Sequence, residues 1–512
     1  MTDILKTAVA AEPQPEHPHR RCAKIVCTIG PSSSTEEQIR QLLLLGMDVA
    51  RLNFSHGTHD EHLQRIRTLR RVAAELGRTV CVLQDLQGPK IRTSALLHHM
   101  PITLVPGAHL TITNKPVVGT PELLGTSFKT LAHEAEVGSL ILLSDGRLSL
   151  KVLKVQGDDV ECEVIDGGVL GEYQGINLPG AVLSAPSLTS KDKKDLAFGL
   201  SVDVDVVAIS FVRNAADIRA VKKIIAAAGR DTPVIAKLEK PQAIENLEEI
   251  LEAADGVMVA RGDLGVEVPP EKVPIIQKHV IRRALYWRKP VITATQMLDS
   301  MIQNPRPTRA EASDVANAVY DGTDAVMLSG ETASGLHPRE AVSMMARIVL
   351  ETEADMRRQA VSRRREIRQL TIPEAICESV AHVAEELNMR GIAVFTATGN
   401  TAGLISKYRP RAEVYAFSHV PEVCNRLNLY WGVRPVPIKA PHTVEAMVVI
   451  AENELRRAKV ATTDDVVAIV AGTRMVTAGS TNFIRLHRIR PLDGAGRRAA
   501  KAKKTTTKGS NR

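Results

Sequence analysis

Nowhere in the 512 residues does an uninterrupted apolar run approach eighteen, the length a helix needs to cross a bilayer, so a membrane span is excluded. CxxC pairs are missing as well. The six cysteines (Cys22, Cys27, Cys81, Cys162, Cys377 and Cys424) lie scattered, which argues against a zinc site or a disulfide framework and fits a reducing cytoplasm. The opening MTDILKTAVAAEPQPEHPHRR has no apolar block behind a basic cluster, so a secretory leader is not expected and a cytoplasmic location is. A surplus of one charge is scarce over most of the chain. The net charge is +8, but from residue 491 onward seven Lys or Arg face the single acid Asp493, so six of those charges belong to the tail. The body is nearly neutral, and nucleic acid is not an expected partner. Segments 1–20 and 491–512 are expected to be disordered, the second as a solvated basic tail. What remains is ordinary for globular chains, 44% hydrophobic and 24% charged, and long enough for several cores.

Short Val/Ile-rich runs recur: IVCTI (25–29), DVARLNF (48–54), VCVLQDL (80–86), DVVAISF (205–211), PVIAKLE (233–239), GVMVARGD (256–263), PVITATQ (290–296) and DAVMLSGE (324–331). Most are continuously apolar and turn polar only at their C-terminal ends, as strands buried on both faces of a parallel sheet do. Helical periodicity fills the gaps, at 35–45, 60–76, 215–228, 271–287 and 308–320. Eight such alternations predict a (β/α)8 TIM barrel over 21–93 and 188–365. Residues 94–187 break the pattern with alternating strands and turns at Asp145-Gly146 and Gly157-Asp158, predicting an inserted β domain. Beyond a charged helix running to about 366, the stretch 366–490 alternates again and predicts a smaller α/β sheet domain.

Barrels gather chemistry where strands end. In ARLNFSHG, Arg51, Asn53 and Ser55 share one face of an extended chain. LQDLQGPKIRT sets Asp85, Lys90 and Arg92 around a Gly-Pro turn, and AKLEKP sets Lys237 beside Glu239, which could be no more than an ion pair. MVARGDLG places Asp263 between Gly262 and Gly265. Glu239 and Asp263 on neighbouring strand ends form a hard-oxygen pair suited to Mg²⁺, or to a shared proton. Thr293, Thr295, Ser329 and Glu331 add groups that can orient a carboxylate, relay a proton or simply cap helices. A cationic, hydroxyl-lined, metal-competent rim suits phosphoryl transfer. Aldol or lyase chemistry on an enolate is the rival, and it leaves Lys237 and Lys191 without work. In the C-terminal third, FTATGNTAGLISKYRP makes a strand-to-helix turn that could bind a phosphate or be an ordinary cap.

Taken together, ARLNFSHG, DLQGPKIRT, SKDKKDLAFG (190–199), AKLEKP, VARGDLGVEVP, TATQMLDSMIQNPRPTRAE (293–311) and DGTDAVMLSGETA (321–333) resemble the pyruvate kinases, in family order, across most of residues 20–490. The resemblance implies a TIM barrel with a mobile inserted β-barrel lid and a C-terminal regulatory α/β domain. It also implies transfer of phosphate from phosphoenolpyruvate to ADP, giving pyruvate and ATP in the last step of glycolysis, commonly by a homotetramer. By position, Glu239 and Asp263 would hold Mg²⁺, or Mn²⁺ in its place, and Lys237 would neutralise the phosphoryl group in transit. Arg51 would grip the substrate phosphate; Gly262 and Asp263, through their backbone, and Thr295 would hold its carboxylate. Thr295 and Ser329 would protonate the enolate, while Asn53, His56, Arg92, Lys191 and the lid's Asp145 would line the nucleotide. One departure stands out. Many members carry Glu where this chain has Lys90, and bind K⁺ near the counterparts of Asn53, Ser55 and Asp85. A tethered ammonium can replace that ion, so K⁺ is not expected to be required. The resemblance also implies a phosphorylated allosteric effector, with Thr396, Thr398, Gly399, Asn400 and Thr401 as candidate contacts.

Overall fold

In the computed structural model, residues 21–181, 186–358, 370–472 and 481–491 are described; the segments 1–20 and 492–512, with most of the run leading to 366, lie outside them. Strands β1 (Lys24–Thr28), β2 (Val49–Asn53) and β3 (Cys81–Asp85) come first. An insertion follows, with β4 (Ile102–Leu104), β5 (His109–Thr113), β6 (Leu123–Gly125), β7 (Leu140–Leu143), β8 (Leu148–Gln156), β9 (Asp159–Asp166), β10 (Gly168–Leu170) and β11 (Ile176–Asn177). The chain then returns through β12 (Val206–Ile209), β13 (Val234–Leu238), β14 (Gly256–Ala260), β15 (Val291–Ala294) and β16 (Ala325–Leu328). The eight strands outside the insertion close into one barrel, β16 pairing back onto β1, and every neighbouring pair is parallel.

These are the eight apolar runs of the sequence, each ending where its polar residues begin. All five residues of β1, β3, β13 and β14 are buried, because barrel interior and helix layer cover both faces. Helices start where capping chemistry allows. Thr58, Thr189 and Thr308 each accept the N–H three residues on, while the acid at that position bonds back, opening helices His59–Glu75, Ser190–Ser201 and Arg309–Asp321. Two helices were invisible to periodicity. Arg261–Glu267 and Gly330–Ala333 follow β14 and β16 directly, and at seven and four residues they are too short to show a repeating apolar face.

The inserted strands form a six-stranded sheet in the order β11-β7-β8-β9-β5-β6 and a two-stranded ribbon, β10-β4. The expected inserted barrel is thus realised as a sheet and a ribbon around a shared core that includes Leu104, Leu110, Ile112, Leu150, Val160 and Leu170. Both glycine turns sit where the sequence puts them. Asp145-Gly146 joins β7 to β8, with Ser144 and Asp145 left-handed at φ 52° and 56°, and Gly157-Asp158 joins β8 to β9.

Met1–Arg358 and Gln359–Arg512 are separate compact units. In the second, β17 (Gly391–Phe395), β18 (Glu413–Ser418), β19 (Val433–Pro437), β20 (Val466–Gly472) and β21 (Thr481–Arg488) build a sheet in the order β19-β18-β17-β20-β21, with only β21 antiparallel. Strand alternation gives it two cores: Ile392 and Val394 enter one, Ala393 and Phe395 the other.

Barrel closure leaves no room at Gly30, after β1. A Cβ there would stand 2.5 Å from the Ala333 carbonyl oxygen, a backbone atom that cannot swing aside. Gly30→Ala is expected to destabilise the barrel unit by about 1–3 kcal/mol through overpacking. Chemical denaturation of the two proteins checks it; an unchanged midpoint would mean that this approach is not tight.

Candidate active site

The C-terminal ends of β2, β3, β12, β13 and β14 bring charged groups into one buried cluster. Arg51 Nε donates to Asp85 Oδ2 at 2.7 Å and Arg51 Nη1 to Thr28 Oγ1 at 2.9 Å. Lys237 Nζ donates to Ser210 Oγ at 2.7 Å and lies 2.8 Å from Glu239 Oε1 and 3.3 Å from Asp85 Oδ1. Asp263, one residue past Gly262 on helix Arg261–Glu267, is close enough that its charge acts on both Lys237 and Glu239. Burial works against the Lys237 charge, but Asp85, Glu239 and Asp263 outweigh it and hold its pKa above the ordinary lysine value. Burial likewise opposes ionisation of Asp85, and Lys237 with Arg51 overcomes it, keeping that carboxyl below its usual range.

Here the charge count decides. Three carboxylates, Asp85, Glu239 and Asp263, face two cations, Lys237 and Arg51. The surplus falls on Glu239, whose carboxyl is pushed up to about 7 by burial, against the pull of Lys237 and with the repulsion of Asp263. One oxygen of Glu239 accepts the Phe211 N–H at 2.8 Å; the other, Oε1, is paired with the Lys237 ammonium at 2.8 Å. A buried carboxylate that feels the charge of a second acid fits a divalent cation. Among the described residues no group of three or more His, Cys, Asp or Glu side chains is placed to hold a metal ion.

Further round the rim, Gly262 N donates to Thr295 Oγ1 at 2.7 Å, and Thr295 Oγ1 donates to the Ala294 carbonyl at 2.6 Å. Thr295 and Gln296 are left-handed, at φ 67° and 53°, a conformation that side chains resist and that surrounding bonds must hold. Arg261 supplies them: its guanidinium reaches the Thr295 carbonyl at 2.7 Å and Asp314 at 2.7 Å. Ser329 N donates to Glu331 Oε2 at 2.7 Å, while the buried Ser329 hydroxyl has no hydrogen-bond partner among the described residues. Thr293, by contrast, is buried against Thr323 at 3.0 Å and belongs to the packing.

On the other side, Asn53 Oδ1 accepts the Ser55 N–H at 3.1 Å, and Lys191 Nζ donates to the Phe54 carbonyl and to Asp195 Oδ2, both at 2.6 Å. His56 is exposed, and its pKa is lowered by burial of part of its ring and by Arg92, Lys90, Arg51 and Lys191, which places four cations about it. Lys90 is exposed; among the described residues the ion partners of Asp85 are Arg51 and Lys237. Lys90 and Asp145 meet at Gly175, where a Cβ would lie 3.7 Å from Lys90 Cε and 3.7 Å from Asp145 Oδ1. The turn before Lys90 is held from two sides. Gly88 N donates to Asp192 Oδ1 at 3.1 Å, and Gly88 needs to be glycine, since it has φ 70° and a Cβ there would strike the Phe211 ring at 2.8 Å.

In the C-terminal unit, Thr396 Oγ1 accepts the Gly399 N–H at 2.9 Å, and Thr401 Oγ1 bonds Thr481 Oγ1 at 2.5 Å. Gly399, at φ 86°, opens helix Asn400–Lys407, and Thr398 and Asn400 remain exposed at its start.

Against known proteins, the pyruvate kinase barrel-domain profile matches residues 20–342 and the pyruvate kinase alpha/beta-domain profile residues 374–487. A pyruvate kinase of Geobacillus stearothermophilus is 46% identical over 502 residues, spanning 96% of this chain and 84% of its own. One of Staphylococcus aureus (strain MRSA252) is 45% identical over 470 residues, 91% of this chain and 80% of its own. The crystal structure of a pyruvate kinase from Cryptosporidium parvum superposes with a TM-score of 0.85 at 37% identity, covering 93% of this chain and 97% of that one. The chain belongs to the pyruvate kinase family. It is a glycolytic phosphotransferase that passes the phosphoryl group of phosphoenolpyruvate to ADP, in a family that needs a divalent metal and in which oligomers and allostery are typical.

Ser210, Phe211 and Arg261 were missed at the sequence level. Ser210 carries the same signal as its neighbours, a polar residue closing a buried strand, and so does Thr28 at the end of β1, which the sequence reading also passed over. Phe211 and Arg261 act through a backbone N–H and through carbonyls, which side-chain patterns do not reveal.

Two predictions follow from the charge count. Lys237→Met, which removes a cation from a net-negative cluster, is expected to lower kcat by roughly 10³-fold or more, read by steady-state ATP formation; a loss below about tenfold would remove Lys237 from the chemistry. A divalent cation held by Glu239 would compete with a proton there, so Mn²⁺ affinity should fall as pH drops below about 7, approaching tenfold per pH unit, and level off above it. Electron paramagnetic titration of Mn²⁺ across that range checks it, and a flat profile contradicts it.

Proposed function

We propose that Glu239 and Asp263 hold Mg²⁺; the observation carrying this reading is that Glu239, buried and paired with Lys237 at 2.8 Å, stands close enough to Asp263 to feel its charge. Once bound, the ion would offset the surplus negative charge and polarise substrate oxygens. The chain's own groups do the rest. Arg51, oriented by Asp85 and Thr28, binds the phosphate of phosphoenolpyruvate. Lys237, kept protonated by its carboxylates, stands against the phosphoryl oxygens as charge moves across them. The Gly262 N–H and the Thr295 hydroxyl, now bonded to each other, exchange that bond for the substrate carboxylate together with the Asp263 N–H. The unpartnered Ser329 hydroxyl and Thr295 carry the proton to the enolate carbon.

ADP takes the side lined by Asn53, His56, Arg92 and Lys191, closed by Asp145 of the insertion. Covering this site excludes water, which strengthens the electrostatics and prevents hydrolysis. Lys90, one of four cations about His56, contributes to the positive field there, and the enzyme works without K⁺ bound near Asn53, Ser55 and Asp85. In the second unit, a phosphorylated effector binds the exposed start of helix Asn400–Lys407, at Thr398 and Asn400, on the loop shaped by Thr396, Gly399 and Thr401. A cytoplasmic homotetramer completes the reading; no helix among the described residues is long and apolar enough to cross a membrane.

Steady-state rates with K⁺ replaced by a large organic cation test the Lys90 assignment. The rate is expected to stay within about twofold, and Lys90→Glu to create a K⁺ requirement, because a carboxylate there restores the need for a mobile cation. A collapse of the wild-type rate on K⁺ removal would refute it.

A further inference from the structure

Lys240 and Glu267 have no part in the chemistry above, yet they form an enclosed ion pair. Lys240 Nζ lies 2.6 Å from Glu267 Oε1, with the two side chains 7% and 2% exposed. Their positions in the chain are the informative point. Lys240 directly follows Glu239, and Glu267 ends the helix that carries Asp263 one turn earlier. Each half of the pair is therefore joined through a short stretch of backbone to one of the two proposed metal carboxylates. A third arm reaches in from the insertion, where Asn177 Nδ2 on β11 donates to the same Glu267 oxygen at 3.0 Å. The Lys240 ammonium also stands 5.8 Å from the centroid of the Phe211 ring, and the Phe211 N–H holds Glu239 Oε2. Next to Asp145, Gly146 faces the same helix: a Cβ there would lie 3.7 Å from Val266.

A buried ion pair contributes little net stability, since desolvation offsets most of its attraction, and apolar residues of similar volume often serve as well. What it contributes is a fixed distance. Mg²⁺ demands near-octahedral geometry at about 2.0–2.1 Å, so small changes between two carboxylates decide its affinity.

We propose that Glu267 is a positioning residue: through Lys240 it sets the spacing of Glu239 and Asp263 for a divalent cation, and through Asn177 it registers the inserted sheet over the same site. The inference rests on the metal role of Glu239 and Asp263 proposed above.

The test uses the full chain and Mn²⁺ alone, read by the paramagnetic signal of free Mn²⁺, with thermal unfolding alongside. The double replacement Lys240→Met with Glu267→Leu removes the pair but fills its volume. It is expected to keep its unfolding midpoint and to bind Mn²⁺ about tenfold more weakly, the scale on which groups behind metal ligands act. Wild-type Mn²⁺ affinity in a folded double variant overturns the proposal, because a merely structural pair would leave the metal indifferent. If that variant does not fold, the isosteric Glu267→Gln decides on the same criterion. Asn177→Leu leaves the pair intact; Mn²⁺ affinity should stay within about twofold while the KM for ADP rises several-fold, and an unchanged KM overturns the Asn177 arm. Glu239→Gln is the control: if it binds Mn²⁺ like the wild type, the metal-site reading itself has failed.

Discussion

A surplus of buried negative charge organises this active site. With every group ionised, Asp85, Glu239 and Asp263 outnumber Lys237 and Arg51 by one charge, and all but the half-buried Asp263 are buried. Folding tolerates that arrangement because the barrel over-determines it. Asp85 is the last residue of a fully buried strand, Glu239 is pinned by the Phe211 N–H, and Arg51 is tied to Thr28. In the proposed metal-bound form the same cluster would turn net positive and match an anionic substrate.

Backbone strain gathers at the same rim. Phe211, Thr295 and Gln296 all take left-handed conformations at the ends of barrel strands β12 and β15. Each is held by something outside itself: Phe211 by its bond to Glu239 and its ring against Gly88, the other two by Arg261 gripping their carbonyls. Strand ends can accept such conformations because they no longer belong to a ladder, and the barrel beneath them is rigid.

Much of this was legible in the residues. Runs such as IVCTI and GVMVARGD announce doubly buried strands and, by their polar ends, the face where chemistry collects. Period-two spacing brings Arg51 and Lys237 to that face, where the structure joins both to Asp85. Other features were not legible, for definite reasons. Helix Gly330–Ala333 is shorter than any amphipathic repeat. Thr293 shares the spacing of Thr295 but lies deeper on its strand, where Thr323 takes its hydroxyl. The Lys240–Glu267 pair joins residues 27 apart, and no local pattern encodes which buried lysine meets which buried acid. Lys90 was visible as a departure from the family pattern, while its closeness to Asp145 depends on how the insertion folds back over Gly175.

The central claim is that Glu239, at the end of β13, and Asp263, on the helix that follows β14, share one divalent ion. Anomalous diffraction from crystals soaked in Mn²⁺ tests it most directly. The account predicts one strong peak within about 2.5 Å of a carboxylate oxygen of both Glu239 and Asp263; a peak bound elsewhere, with those two carboxylates empty, would contradict it.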